Sequence, residues 1–123
     1  MGSLKKLLIV DDQAGIRLLL DEVFKKEGYE TVLAATGKEA LLRVENDEPD
    51  CILLDMKMPG MNGDEVLKQV KSDRPNLPVV MMTAYDVIEA SDSEAQHQAD
   101  HYFTKPFDIH QVRHTINHLL RET

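Results

Sequence analysis

A chain of 123 residues suits one domain, burying roughly two-thirds of its unfolded surface. Its 22 acidic against 14 basic residues leave a formal net charge of -8, which argues against nucleic-acid binding, because phosphate backbones demand clustered Lys and Arg. No apolar run approaches the roughly 18 residues of a membrane span and none forms a signal-peptide core, so a cytoplasmic chain without membrane contacts is expected.

Residues 1–5 precede the first element. Met1-Gly2-Ser3 begins like a myristoylation signal, but Lys6 stands where that signal needs Ser or Thr. Residues 6–121 are expected to form one unit with no output domain. The first strand is predicted over Lys6–Asp11, followed by a helix over Ala14–Glu27 with Ile16, Leu19, Leu20, Val23 and Phe24 on its core face. Gly28 closes that helix. A strand at Glu30–Ala35 and a helix at Lys38–Asn46, facing inward through Ala40, Leu41 and Val44, come next. Pro49-Asp50 turns the chain into Cys51–Asp55, the most apolar strand. Cys51 reads as a reduced core thiol.

A loop rich in Gly, Pro and Met, Met56–Gly63, leads to a third helix through Val66, Leu67 and Val70, with Asn62 as its N-cap. Val79–Ala84 is the fourth strand. Asp86–Gln98 is assigned to a fourth helix, although its apolar anchors are few and Ser91-Asp92-Ser93 interrupts it. His101–Thr104 and a last helix, Ile109–Leu120, complete the pattern. His110, His114 and His118 fall opposite that helix's apolar positions and read as a solvated stripe. Met56, Met58 and Met61 read as packing over strand ends.

Short apolar strands spaced by helices imply an α/β, doubly wound (βα)5 sandwich of flavodoxin-like type, with right-handed crossovers and a parallel sheet ordered 2-1-3-4-5. All strand ends then share one edge. Asp11 and Asp12 follow the first strand and Asp55 ends the third, flanking the switch point where such folds bind ligands; Thr83 and Lys105 close the fourth and fifth. The second strand ends in Ala34-Ala35-Thr36 and offers no acid or base.

Three carboxylates at close range oppose one another's ionisation unless a cation joins them. Hard oxygen ligands select Mg²⁺, or Mn²⁺ in its place, and the carbonyl of Lys57 is a further ligand candidate. A carboxylate beside such an ion and a lysine can attack a phosphoryl group and hold it as an aspartyl phosphate. Asp55 is the best nucleophile, being single, central and followed by a flexible loop. Lys105 and Thr83 would take phosphoryl oxygens. Acids that merely cap helices are the bland alternative for any one of these residues, but not for the set.

Val10-Asp11-Asp12, Asp55 through Gly63, Thr83-Ala84 and Lys105-Pro106-Phe107, in this order and spacing, resemble the receiver domains of bacterial two-component response regulators over the full chain. The resemblance implies phosphorylation at Asp55, Mg²⁺ on Asp11, Asp12, Asp55 and the Lys57 carbonyl, and signalling through Thr83, Lys105 and an aromatic switch at Tyr102. It also implies a cis peptide before Pro106. Within the family, Asp12 through Arg17, Glu22-Val23-Phe24 and Glu27-Gly28-Tyr29 resemble the single-domain regulators of sporulation phosphorelays. These take phosphate from sensor histidine kinases and pass it to histidine phosphotransferases. An aspartyl-phosphate phosphatase is a further expected partner. Ala14, Asn62, Gln98 and Tyr102 depart from that pattern, where Tyr, Asp, Gly and His are usual.

Partners are expected to cover the pocket rim through Gln13, Gly15, Ile16, Leu18, Pro106 and Phe107. Leu18 is predicted to point away from the core, and Ile16 to lie half-way between core and surface. The rival readings are a chemotaxis-type regulator that binds a target without relaying phosphate, an aspartate-nucleophile phosphatase, and a structural Mg²⁺ module. The phosphatase reading lacks the usual second acid two residues after the nucleophile, where Lys57 stands.

Overall fold

The computed structural model describes residues 4–84 and 99–121. Strands β1 (Lys6–Val10), β2 (Glu30–Ala34), β3 (Cys51–Asp55), β4 (Val79–Ala84) and β5 (His101–Lys105) form one sheet. Helices α1 (Ala14–Lys26), α2 (Gly37–Asp47), α3 (Gly63–Asp73) and α4 (Ile109–Arg121) flank it. Every neighbouring pair of strands is parallel, and the order is β2-β1-β3-β4-β5. The helix expected at Asp86–Gln98 lies outside the described residues.

Alternation along the strands divides the core into two layers. Leu8, Val10, Ile52, Leu54, Val79 and Met81 pack against Ala40, Val44, Val66, Leu67 and Val70 of α2 and α3. Leu7, Ile9, Cys51, Leu53, Val80 and Met82 pack against Leu20, Phe24, Val112, Ile116 and Leu120 of α1 and α4. Strand β3 is buried at every position, as a central strand covered on both faces must be.

Helix α1 ends as predicted, in a Schellman turn. Gly28, at φ +96°, donates to the Lys25 carbonyl, and the Tyr29 N–H reaches back to the Phe24 carbonyl. The Phe24 and Tyr29 rings meet 5.9 Å apart, supplying the apolar contact of that motif. One expectation for α1 fails. Leu19 is 48% exposed instead of buried. The buried stripe runs through Ile16, Leu20, Val23 and Phe24, and Leu19, at 100° per residue, falls well to one side of it. Leu18 is 61% exposed, and Ile16 is half-buried, as predicted.

Candidate functional site

The register sets the site. Val10 pairs with Leu54, so Asp11 leaves β1 beside Asp55 at the end of β3. Thr83 pairs with Thr104 and Ala84 with Lys105, which brings the ends of β4 and β5 to the same edge. Asp11, Asp55 and Thr83 are buried, whereas Asp12 is exposed. Carboxylate oxygens of Asp11, Asp12 and Asp55 lie within 4.8 Å of one another.

The Lys105 ammonium bridges the two buried acids, 3.2 Å from Asp11 Oδ2 and 3.4 Å from Asp55 Oδ1. The Lys57 N–H donates to Asp55 Oδ1 at 3.3 Å, and the Gln13 N–H donates to Asp11 Oδ1 at 2.9 Å. Burial, and next the facing Asp11 carboxylate, push the Asp55 carboxyl up from 3.8 to about 7. The Lys105 ammonium and the Lys57 N–H pull it down, and Asp12 adds to the rise. One lysine therefore leaves negative charge uncompensated among three acids. A hard, oxygen-seeking dication matches that donor set, and among the described residues no His or Cys joins these acids to favour zinc.

The pocket over the acids, about 520 Å³, is lined by Asp12, Gln13, Asp55, Lys57, Met58, Pro59 and Lys105. A larger cavity of about 620 Å³ between α2 and α3 holds no such cluster among the described residues; chemistry, not size, identifies the site. A second groove, lined by Gln13, Ile16, Lys105, Pro106 and Phe107, adjoins the acid pocket through Gln13 and Lys105. Leu18 and Gly15 do not line it, although both are exposed on α1. The Lys105–Pro106 peptide is cis. Tyr102 sits on the edge strand, 36% exposed. Met56 and Met58 are buried in the α2–α3 layer and Met61 packs against it, so this trio is core.

Two supports were not visible in the sequence. The Arg17 guanidinium turns back to donate to the Asp11 carbonyl at 2.7 Å, tying α1 to the end of β1. Gly63, at the start of α3, lies so close to β3 that a Cβ there would sit 2.5 Å from the Asp55 carbonyl. Its N–H donates to the Met56 carbonyl at 2.7 Å, closing the loop after Asp55. As predicted, Asn62 caps α3, accepting from the Glu65 N–H at 3.2 Å. Only the glycine at the end of that loop hinted at the close approach of Gly63; nothing in the sequence says which way Arg17 points.

A doubly wound sheet with three acids, a threonine and a lysine at its switch point defines a receiver-type signalling domain. Residues 7–117 match the response regulator receiver domain, and the chain belongs to that family. It is 48% identical to sporulation initiation phosphotransferase F of Bacillus subtilis (strain 168) over 116 residues, which cover 94% of each chain. It is 36% identical to the alkaline phosphatase synthesis transcriptional regulatory protein PhoP of the same organism, matching 97% of this chain but 50% of that one. Among solved structures, response regulator TrrA of Thermotoga maritima, in complex with Mg²⁺-BeF, is 32% identical with a TM-score of 0.87. That match covers 95% of this chain and all of TrrA. A CheY-like receiver domain from Methanospirillum hungatei is 33% identical, with a TM-score of 0.83 over 98% of this chain and all of that one.

Proposed function

We propose that this chain is a phosphorelay intermediate: Asp55 accepts a phosphoryl group from a sensor histidine kinase and passes it to a histidine phosphotransferase. The observation that carries this reading is the set of acids and the lysine around one buried carboxylate, in a chain 48% identical along its length to a sporulation phosphotransferase. The chain acts as a cytoplasmic substrate and carrier of phosphate, not as an enzyme with turnover on other molecules.

In the forward step an Asp55 carboxylate oxygen bonds to phosphorus as the P–N bond to the donor imidazole breaks. The nitrogen keeps the bonding pair and takes a proton from solvent, so the imidazole departs neutral; transfer to the next histidine reverses the exchange and returns that proton to solvent. Asp11, Asp12, Asp55 and the Lys57 carbonyl would hold Mg²⁺, or Mn²⁺ in its place, whose charge offsets that of the phosphoryl oxygens. Lys105, 3.4 Å from Asp55, would pair with one of those oxygens. The Thr83 hydroxyl takes another and reports phosphorylation towards Tyr102. Lys57 contributes an N–H at the same carboxylate.

The same geometry supports a docking surface. A partner that brings an imidazole to Asp55 must cover the rim, meeting Gln13, Ile16, Pro106 and Phe107 in the adjoining groove and the exposed Leu18 beyond it. Beyond its chain neighbours and its own helix backbone, nothing lies within 4 Å of where a Cβ on Gly15 would be, so a partner backbone can approach there. An aspartyl-phosphate phosphatase would use this same rim.

The test is transfer. Radiolabelled chain, phosphorylated by a histidine kinase, is mixed with a purified histidine phosphotransferase. Label should move to the histidine protein and fail to load on Asp55→Ala. Label that stays on Asp55 while the phosphorylated chain captures a target would instead indicate a target-binding regulator. Steady hydrolysis of generic phosphate esters would indicate a phosphatase.

A further inference from the structure

The histidines of α4 gain a partner in three dimensions. His110, His114 and His118 are exposed, as their periodicity predicts. His101, on edge strand β5, lines one groove together with His110 and His114, whose other walls are Phe103, Gln111 and Thr115. The groove shares no lining residue with the acid pocket. The His101 ring lies 4.7 Å from that of Phe103, a residue packed on the core, which holds it beside α4.

We propose that the β5–α4 groove is a second metal site, binding a borderline divalent ion such as Zn²⁺ through His101, His110 and His114. Two histidines four residues apart on one helix face have the spacing of helical zinc ligands. A third from another element would complete a three-imidazole set with water in the fourth position. The two sites then select different ions, since carboxylates suit Mg²⁺ and imidazoles suit Zn²⁺. Among the described residues, only the acid trio already converges to within 4.8 Å, so the imidazoles must swing together. All three are exposed and free to turn, His101 giving up its contact with Phe103 as it does so.

One contact opposes the metal, and it sharpens the test. Arg113 Nη2 lies 3.2 Å from His110 Nδ1. A neutral imidazole that ligates through one nitrogen carries its proton on the other, so ligation through Nε2 must displace the guanidinium. Removing Arg113 should therefore tighten binding.

The experiment titrates the full chain with Zn²⁺ in excess Mg²⁺, by calorimetry and by imidazole NMR. One Zn²⁺ per chain is expected, with the ring signals of His101, His110 and His114 shifting. His101→Ala and His110→Ala/His114→Ala should each weaken binding by at least about tenfold. Arg113→Gln should strengthen it, and phosphorylation by acetyl phosphate should be unchanged in every variant. Zn²⁺ that shifts only the acid-pocket residues would overturn the site. So would undiminished binding in His101→Ala with loss in His118→Ala, which would assign the metal to the helix stripe alone.

Discussion

At the scale of single residues, the site is a contest between like charges and one ammonium. The Asp55 carboxyl, raised from 3.8 to about 7, binds its proton more tightly in the folded chain than in the unfolded one. A raised acid costs stability where the unfolded group would be ionised, so in metal-free buffer this cost grows as pH rises from about 4 to about 7. Asp55→Asn should remove it. Denaturant unfolding should show the variant more stable by on the order of a few kcal/mol above pH 7, and little changed near pH 4. An equal gain at both pH values would mean that charge is not the cause. Asp55→Asn should also fail to take label from acetyl phosphate.

Lys105 and Asp12 should separate in the same buffers. Lys105→Ala strips the counter-charge from two buried acids and should cost about 1–3 kcal/mol without Mg²⁺. It also removes a competing cation, so Mg²⁺ affinity should hold or rise. Asp12→Ala removes an exposed acid and should weaken Mg²⁺ binding with little effect on the apo fold. Equal losses of Mg²⁺ affinity in both variants would deny these distinct roles.

At the scale of elements, α3 and α1 frame the pocket in different ways. Helix α3 presses against the end of β3 through Gly63, where an added methyl meets backbone, not a movable side chain. Gly63→Ala should destabilise the chain by about 1–3 kcal/mol and slow acetyl phosphate labelling, because the strand end carrying Asp55 must shift. Normal stability and labelling would show that the loop yields at little cost. Helix α1 offers the opposite case. Leu18 is 61% exposed, so Leu18→Ser should change stability by no more than about 0.5 kcal/mol. Transfer to and from a histidine protein should slow, while acetyl phosphate labelling, which needs only the pocket, stays the same. If both rates drop together, the substitution has disturbed the pocket and the docking role fails.

For the whole molecule, a net charge of -8 and three clustered acids predict a fold that gains from cations. Binding to the folded chain alone stabilises it by mass action, about 2.7 kcal/mol at a hundredfold excess over Kd. Mg²⁺ should therefore raise the melting temperature of the native chain and EDTA should reverse the rise. Asp11→Asn should lose most of that response. A rise of similar size with Na⁺ at matched ionic strength would reduce the effect to screening of net charge.

Much of this was already written in the residues. Apolar runs of about four residues, Gly28 after α1 and Asn62 before α3 placed the described elements to within a residue or two, because burial on both faces and capping are local demands. The parallel order then followed from alternation, and with it the meeting of Asp11, Asp12, Asp55, Thr83 and Lys105 on one edge. What the sequence could not decide depended on contacts between distant segments. Leu19 lies exposed because the sheet accepts only part of α1's apolar arc. Arg17 reaches back to the Asp11 carbonyl, and His101 lines one groove with His110 and His114, because packing, not spacing, sets which side chains become neighbours. The height of the Asp55 carboxyl likewise rests on burial and on Asp11, a residue 44 positions earlier in the chain. Charge order is local to the sequence, but distance and dielectric belong to the fold.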